Sequence, residues 1–204
     1  MDDHVSPEAG FDTLVVLEYL GKRYGGVSYA ELHLFCYLSC LLALFKGRPV
    51  SEWGYGFAGT QEGAPFSPKV DQIVRLYCSV GFVANMDGSA LALSEIGRAE
   101  LTDLRTIDSN TVREECLEAA CTCAFAMPIG LVQLALGEEP ELRRVRRIRA
   151  TSRLLEETGL IQLHEHFAAL GEVVGVEVSD LLVPAHIWLS YLSSVHRQRL
   201  SGSK

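Results

Sequence analysis

The stretch Ala64–Leu101, APFSPKVDQIVRLYCSVGFVANMDGSALALSEIGRAEL, decides how the chain reads. Ser67-Pro68 is a helix start, with serine at the N-cap and proline in the first turn. Val70, Ile73, Val74 and Tyr77 follow at helical spacing, and Gly81 is a C-terminal stop. FVANMDGSALAL then alternates around Asp87-Gly88, a tight-hairpin signal. Ser94 caps the next helix. Helix, glycine, strand, Asp-Gly turn, strand and helix is the order in which a winged helix-turn-helix ends.

Upstream, FDTLVVLEYLGKRYGG predicts a short amphipathic helix with Leu14, Leu17, Tyr19 and Leu20 inward and Gly25-Gly26 as its stop. Ser28 with Glu31 forms a capping box for SYAELHLFCYLSCLLALFKG. That helix is apolar nearly all round, so it belongs at the centre. Its core LFCYLSCLLALF spans 12 residues, too short to cross a bilayer. The glycine-rich segment 48–66 reads as a loop carrying Trp53, Tyr55, Phe57 and Phe66.

Downstream, the same plan reads a second time. DSNTVREECLEAACTCAFAM is a helix capped near Asp108–Asn110, and PIGLVQLALG is a short second one. PELRRVRRIRATSRLLEETG reads as a long third helix ended by Gly159. LIQLHEHFAALGEVVGVEVS then reads as two strands turning at Ala169–Gly171. RLLEETGLI echoes RLYCSVGFV. A last helix, PAHIWLSYLSSVHRQ, carries Ile187, Trp188, Tyr191, Leu192 and Val195 on one stripe. The expected fold is mainly α (α+β): tandem winged helix-turn-helix units with small hairpin wings. The boundaries are a flexible tail at 1–10, unit 1 at 11–105, unit 2 at 108–180 and a C-terminal helix at 181–200.

Composition constrains the function. The 204 residues are 48% hydrophobic and 22% charged, as in a globular protein. The net charge is −8, whereas a free-standing DNA-binding domain carries a basic surplus to neutralise phosphates. Any nucleic-acid contact must therefore be local. The N-terminus is acidic and has no apolar leader region, so a cytoplasmic location without membrane contact is expected, with the six cysteines as reduced thiols.

The residues 14–101 also resemble a known group. LEYLGKRYGGVSYAELHLFCYL, the segment ending Ala64-Pro65-Phe66-Ser67, Gly81-Phe82-Val83 and Leu93-Ser94-Glu95-Ile96-Gly97 are similar to the YwgA/SocA-like phage-associated winged-helix family. That family's pattern runs Gly-Pro-Phe-Ser, Gly-Leu-Ile and Leu-Thr-x-x-Gly. The resemblance implies a winged-helix fold. It further implies a small subunit of Lamassu or ABC-three-component defence systems, whose partners are an SMC- or Rad50-like ATPase and an effector.

Six of the 18 basic residues fall within 11 positions: Arg143, Arg144, Arg146, Arg147, Arg149 and Arg153. Leu142, Val145, Ile148 and Leu155 form the apolar stripe between them, and by the repeated plan this is the recognition-helix position. Guanidinium groups suit phosphate and guanine edges. An acidic groove on a partner is a second reading. A solvated helix is a third, because Glu138, Glu139 and Glu141 precede the cluster and Glu156 and Glu157 follow it, with Glu139–Arg143 and Arg153–Glu157 at i,i+4 spacing. Trp188, Tyr191 and Leu192 are candidate partner-binding residues, since tryptophan and tyrosine dominate interface hot spots; docking onto the chain's own core is the other reading. No catalytic residue is expected: nucleophile elbows, phosphate loops and H-E-x-x-H are missing. Neither a cofactor nor a metal is expected, because the cysteines lack zinc spacing; His164 and His166 would share a strand face. The expected function is a non-enzymatic adaptor bridging an ATPase and an effector, touching DNA or an acidic surface. The alternative is a dimeric DNA-binding regulator or antitoxin, in which the chain associates with itself.

Overall fold

The computed structural model describes residues 5–175 and 180–202, with residues 157 and 158 described by their backbone alone. It is mainly helical. Helix α1 (Pro7–Tyr24) is capped by Ser6, whose hydroxyl accepts from the Ala9 amide, and closed by Gly25 in the left-handed region. It therefore begins inside the expected tail: Ser6, Ala9 and Gly10 are buried, and a Cβ on Gly10 would collide with the Tyr77 hydroxyl. The seven residues Phe11–Leu17 are buried without a break, because other elements cover this helix on every side.

Helix α2 (Tyr29–Phe45) starts at the Ser28/Glu31 capping box and is buried from Leu32 to Leu44. A 3-10 turn (Val50–Trp53) and two short antiparallel strands, β1 (Ala58–Gly59) and β2 (Pro65–Phe66), organise the expected loop. Trp53, Tyr55 and Phe57 point into the core. Helix α3 (Pro68–Val80) ends at Gly81. Strands β3 (Val83–Met86) and β4 (Ala90–Leu93) pair from Val83–Leu93 to Met86–Ala90. Asp87 and Gly88 both take positive φ, as a type I′ turn requires. Val27 pairs with Leu91 and adds one bridge to this hairpin. Ser94 caps α4 (Glu95–Leu104).

Helices α5 (Asp108–Ala126) and α6 (Ile129–Leu136) lie where the sequence places them, although α5 begins at Ile107 without a side-chain cap. Helix α5 packs on α1 and α2, so the two halves of the chain share buried surface.

Beyond this point the second half departs from the expected repeat. The predicted long third helix stops early. Helix α7 covers only Pro140–Ile148, because Arg149 turns left-handed (φ 51°). The chain then runs extended as β5 (Ser152–Arg153), which pairs with β1 to give the sheet order β2-β1-β5. Leu155 takes a second left-handed turn (φ 61°). Instead of two strands, α8 (Glu157–Val174) follows. Leu163, Phe167 and Leu170 are its buried positions, a spacing of four and three that belongs to a helix. Gly159 lies in its first turn rather than at a helix end. A Cβ there would collide with the Glu141 carboxylate, which sits at the positive end of α8. The end of the predicted second strand lies outside the described residues, and among those described unit 2 has no hairpin. Helix α9 (Leu182–Gly202) packs on α5, α6 and α8. Among the described residues no single helix is long and apolar enough to cross a membrane.

Candidate functional site

The arginine segment forms one wall of a groove. Helix α7 begins at Glu139, whose fully buried carboxylate accepts from the amides of Glu141 (3.0 Å) and Leu142 (2.9 Å). The Tyr37 hydroxyl donates to the same carboxylate at 3.3 Å. Burial pushes this carboxyl up to about 7. Glu139 is thus a helix cap, and the expected Glu139–Arg143 side-chain ion pair does not form. The expected Arg153–Glu157 pair lies outside the described side chains.

Leu142 and Val145 seat α7 in the core, whereas Ile148 is 50% exposed and Leu155 is buried beyond the helix. Val145 rests on Gly59, which leaves no room for a side chain. Arg143, Arg144, Arg146 and Arg147 remain on α7. Arg149 and Arg153 do not share its face: one is the C-cap and the other lies on β5.

The groove, about 540 Å³, is lined by Pro140, Arg143, Arg144, Arg146, Arg147, Gln162 of α8 and Arg199 of α9. Two nearly buried carboxylates face its five guanidinium groups. Glu141 accepts from Arg144 Nε (3.1 Å) and Nη2 (3.2 Å). Glu138 accepts from Arg146 (2.8 Å) and Arg199 (2.7 Å), and its Oε1 lies 3.1 Å from His196 Nδ1. Burial would raise the Glu138 carboxyl, but the hydrogen bonds from His196 and Arg146 and the nearby cations hold it below the usual value. Gly63 and Gly137 lie against Arg146 and make space for it. No ion pair among the described residues engages Arg143 or Arg147. Among the described residues the groove thus has more arginines than carboxylates facing them, on an acidic chain, which suits it to anions.

The α7 arginines and Glu138 beside them are visible in the sequence, but His196 and Arg199 are not. Arg199 lies 61 positions from Glu138, and nothing local in the sequence announces their meeting. The presentation also differs from a recognition helix. Such helices read bases through their N-terminal residues, but Glu139, Pro140 and Glu141 are buried here.

Trp188 and Leu192 turn inward, 2% and 1% exposed. Trp188 packs edge-on against Phe167 at 5.3 Å, so these two residues of the α9 stripe dock onto the chain itself, whereas Ile187 and Tyr191 stay exposed. Tyr191 stays 52% exposed at the mouth of an apolar cleft of about 290 Å³ between α8 and α9. His164 and His166 lie on a helix, where positions two apart diverge, so they do not form a pair. Among the described residues no cluster of His, Cys, Asp or Glu could hold a metal ion. The six cysteines are free thiols; burial lifts Cys116 to about 11 and Cys123 to about 12.

A second polar cluster is internal. Asp12 accepts from Tyr55 and from two nitrogens of Arg113, and Arg113 Nη2 also donates to the Trp53 carbonyl at 2.8 Å. The guanidinium lies 3.8 Å from the Trp53 ring centre. This cluster clamps α1, α5 and the 3-10 turn together. Compared with family models, curated proteins and solved structures, the chain matches none, so the resemblance over residues 14–101 stands on those residues alone.

Proposed function

We propose that this chain is a non-enzymatic adaptor subunit of a multi-protein antiphage or anti-plasmid complex, joining an SMC-like ATPase to an effector. The order of α1, extended Val27, α2, α3 and the β3–β4 hairpin supports reading the first half as a winged helix, with Val27 as the third strand of the wing. The observation that carries the adaptor reading is the outer face of α3, the helix in the recognition position. Its arginine, Arg75, is tied to Asp71 at 2.6 Å. Its C-terminal end exposes Leu76 (37%) and Val80 (50%), and the wing exposes Met86 (47%) beside Asp87. A base-reading helix carries unpaired donors, and an acidic wing repels phosphate. Apolar side chains in those places suit a protein partner.

Affinity purification from the source cells, with and without nuclease, tests this reading. Stoichiometric recovery of an ATPase and an effector is expected in both lysates, and Leu76→Asp with Val80→Asp should abolish it. Recovery of a homodimer alone, on DNA that nuclease removes, would overturn it in favour of a regulator.

A further inference from the structure

We infer that the α7–α8–α9 groove grips the phosphate backbone of duplex nucleic acid without reading its sequence, and that Glu138 is the internal counter-charge this backbone displaces. The inference adds a ligand and a control element to the adaptor reading, and rests on it only for biological context. Three features of the groove select the ligand. Among the described residues its cations are arginines, drawn from two helices about 50 residues apart in sequence, and guanidinium forks match phosphate oxygens two at a time. Among the described residues its lining has no apolar anchor except Pro140, whereas a protein interface needs an apolar or aromatic centre. Among the described residues it also has no aromatic side chain, so they supply no base-stacking platform of the kind single-strand binders use. Burial of Pro140 and Glu141 keeps the tip of α7 out of the major groove, which leaves backbone contact alone.

The control element follows from the same contacts. Arg143 and Arg147 offer their charge directly. Arg146 and Arg199 are shared through Glu138, a carboxylate 3% exposed that also contacts His196. A phosphate entering between those arginines takes over the carboxylate's role. It thereby loosens the tie between the end of α9 and the start of α7, so occupancy of the groove is coupled to the C-terminal helix.

The test uses the purified full chain and fluorescence anisotropy with two unrelated 20-base-pair duplexes across a salt series. Equal affinity for both duplexes is expected, with a log–log salt slope of about −0.9 for each phosphate engaged. Arg143→Ala with Arg147→Ala should weaken binding at least tenfold and flatten the slope by about 2, since two contacts are lost. Glu138→Gln should tighten binding severalfold. If that variant unfolds by circular dichroism, Arg147→Glu, on an exposed side chain, supplies the complementary loss. Sequence preference, an unchanged slope in the double variant, or binding to poly-glutamate but not to duplex would overturn the inference. Because no partner is present, such a failure would leave the adaptor reading standing, and loss of co-purification would leave this inference standing.

Discussion

Replacing Arg113 with methionine tests whether the two halves of the chain stand as one structure. The Asp12 side chain is fully buried and that of Arg113 is 9% exposed. The pair joins α1 of the first half to α5 of the second, with Trp53 stacked on the guanidinium. Methionine keeps the length and apolar bulk of the stem but leaves the Asp12 carboxyl with only the Tyr55 hydroxyl; burial already raises that carboxyl, and losing the guanidinium raises it further. Removing one partner of a buried pair costs about 3–5 kcal/mol, a large share of the roughly 5–15 kcal/mol that holds a domain. For a chain of this size each kcal/mol moves Tm by about 2–4 °C, so Arg113→Met should melt roughly 6–20 °C lower. Urea unfolding followed by tryptophan fluorescence and circular dichroism gives the free energy. Both signals should shift together, because Trp53 reports the loop and the helices report the whole. Asp12→Asn should cost about as much, and the double variant should cost less than the sum by about 1–3 kcal/mol, the coupling of a contacting pair. A loss below about 1 kcal/mol in Arg113→Met, or strict additivity, would refute the clamp.

Glu139→Gln should change how stability depends on pH. The folded carboxyl sits near 7, above its unfolded value, so the wild type is most favoured below pH 4.5 and loses up to about 3 kcal/mol from this group as pH rises through 7. The variant should be flatter over that range and relatively more stable at pH 8; parallel urea midpoints from pH 5 to 8 would contradict this. Gly97→Ala should cost about 2 kcal/mol or more in thermal melts, because the new methyl meets the Phe82 carbonyl, a backbone atom that cannot swing aside. Gly159→Ala should push Glu141 off the start of α8 and release Arg144, lowering stability by about 1–2 kcal/mol; a variant as stable as wild type would mean that Glu141 finds another place.

What the sequence determined by itself is local. The Ser28/Glu31 box, the stops at Gly25 and Gly81, the Asp87-Gly88 turn and the Ser94 cap are each settled by backbone geometry within a few residues, and each stands where it was read. Helix α8 was also legible: Leu163, Phe167 and Leu170 keep helical spacing, and reading Gly159 and Gly171 as breaks obscured it. Gly159 serves packing, not chain termination. Only tertiary structure could decide the rest. Arg149 and Leu155 turn left-handed because β5 must reach β1, about 95 residues back in the chain, and the sheet outweighs the local cost of those turns. Three consecutive-looking surface glutamates became a helix cap beside Tyr37, an arginine partner against Gly159 and, where α9 crosses Glu138, a three-way hub. Trp188 went inward because Phe167 of α8 offered it a surface to cover, and Leu192 is buried with it as α9 packs on α5, α6 and α8. Charge and burial are properties of neighbours brought together from afar, and the linear pattern does not carry them.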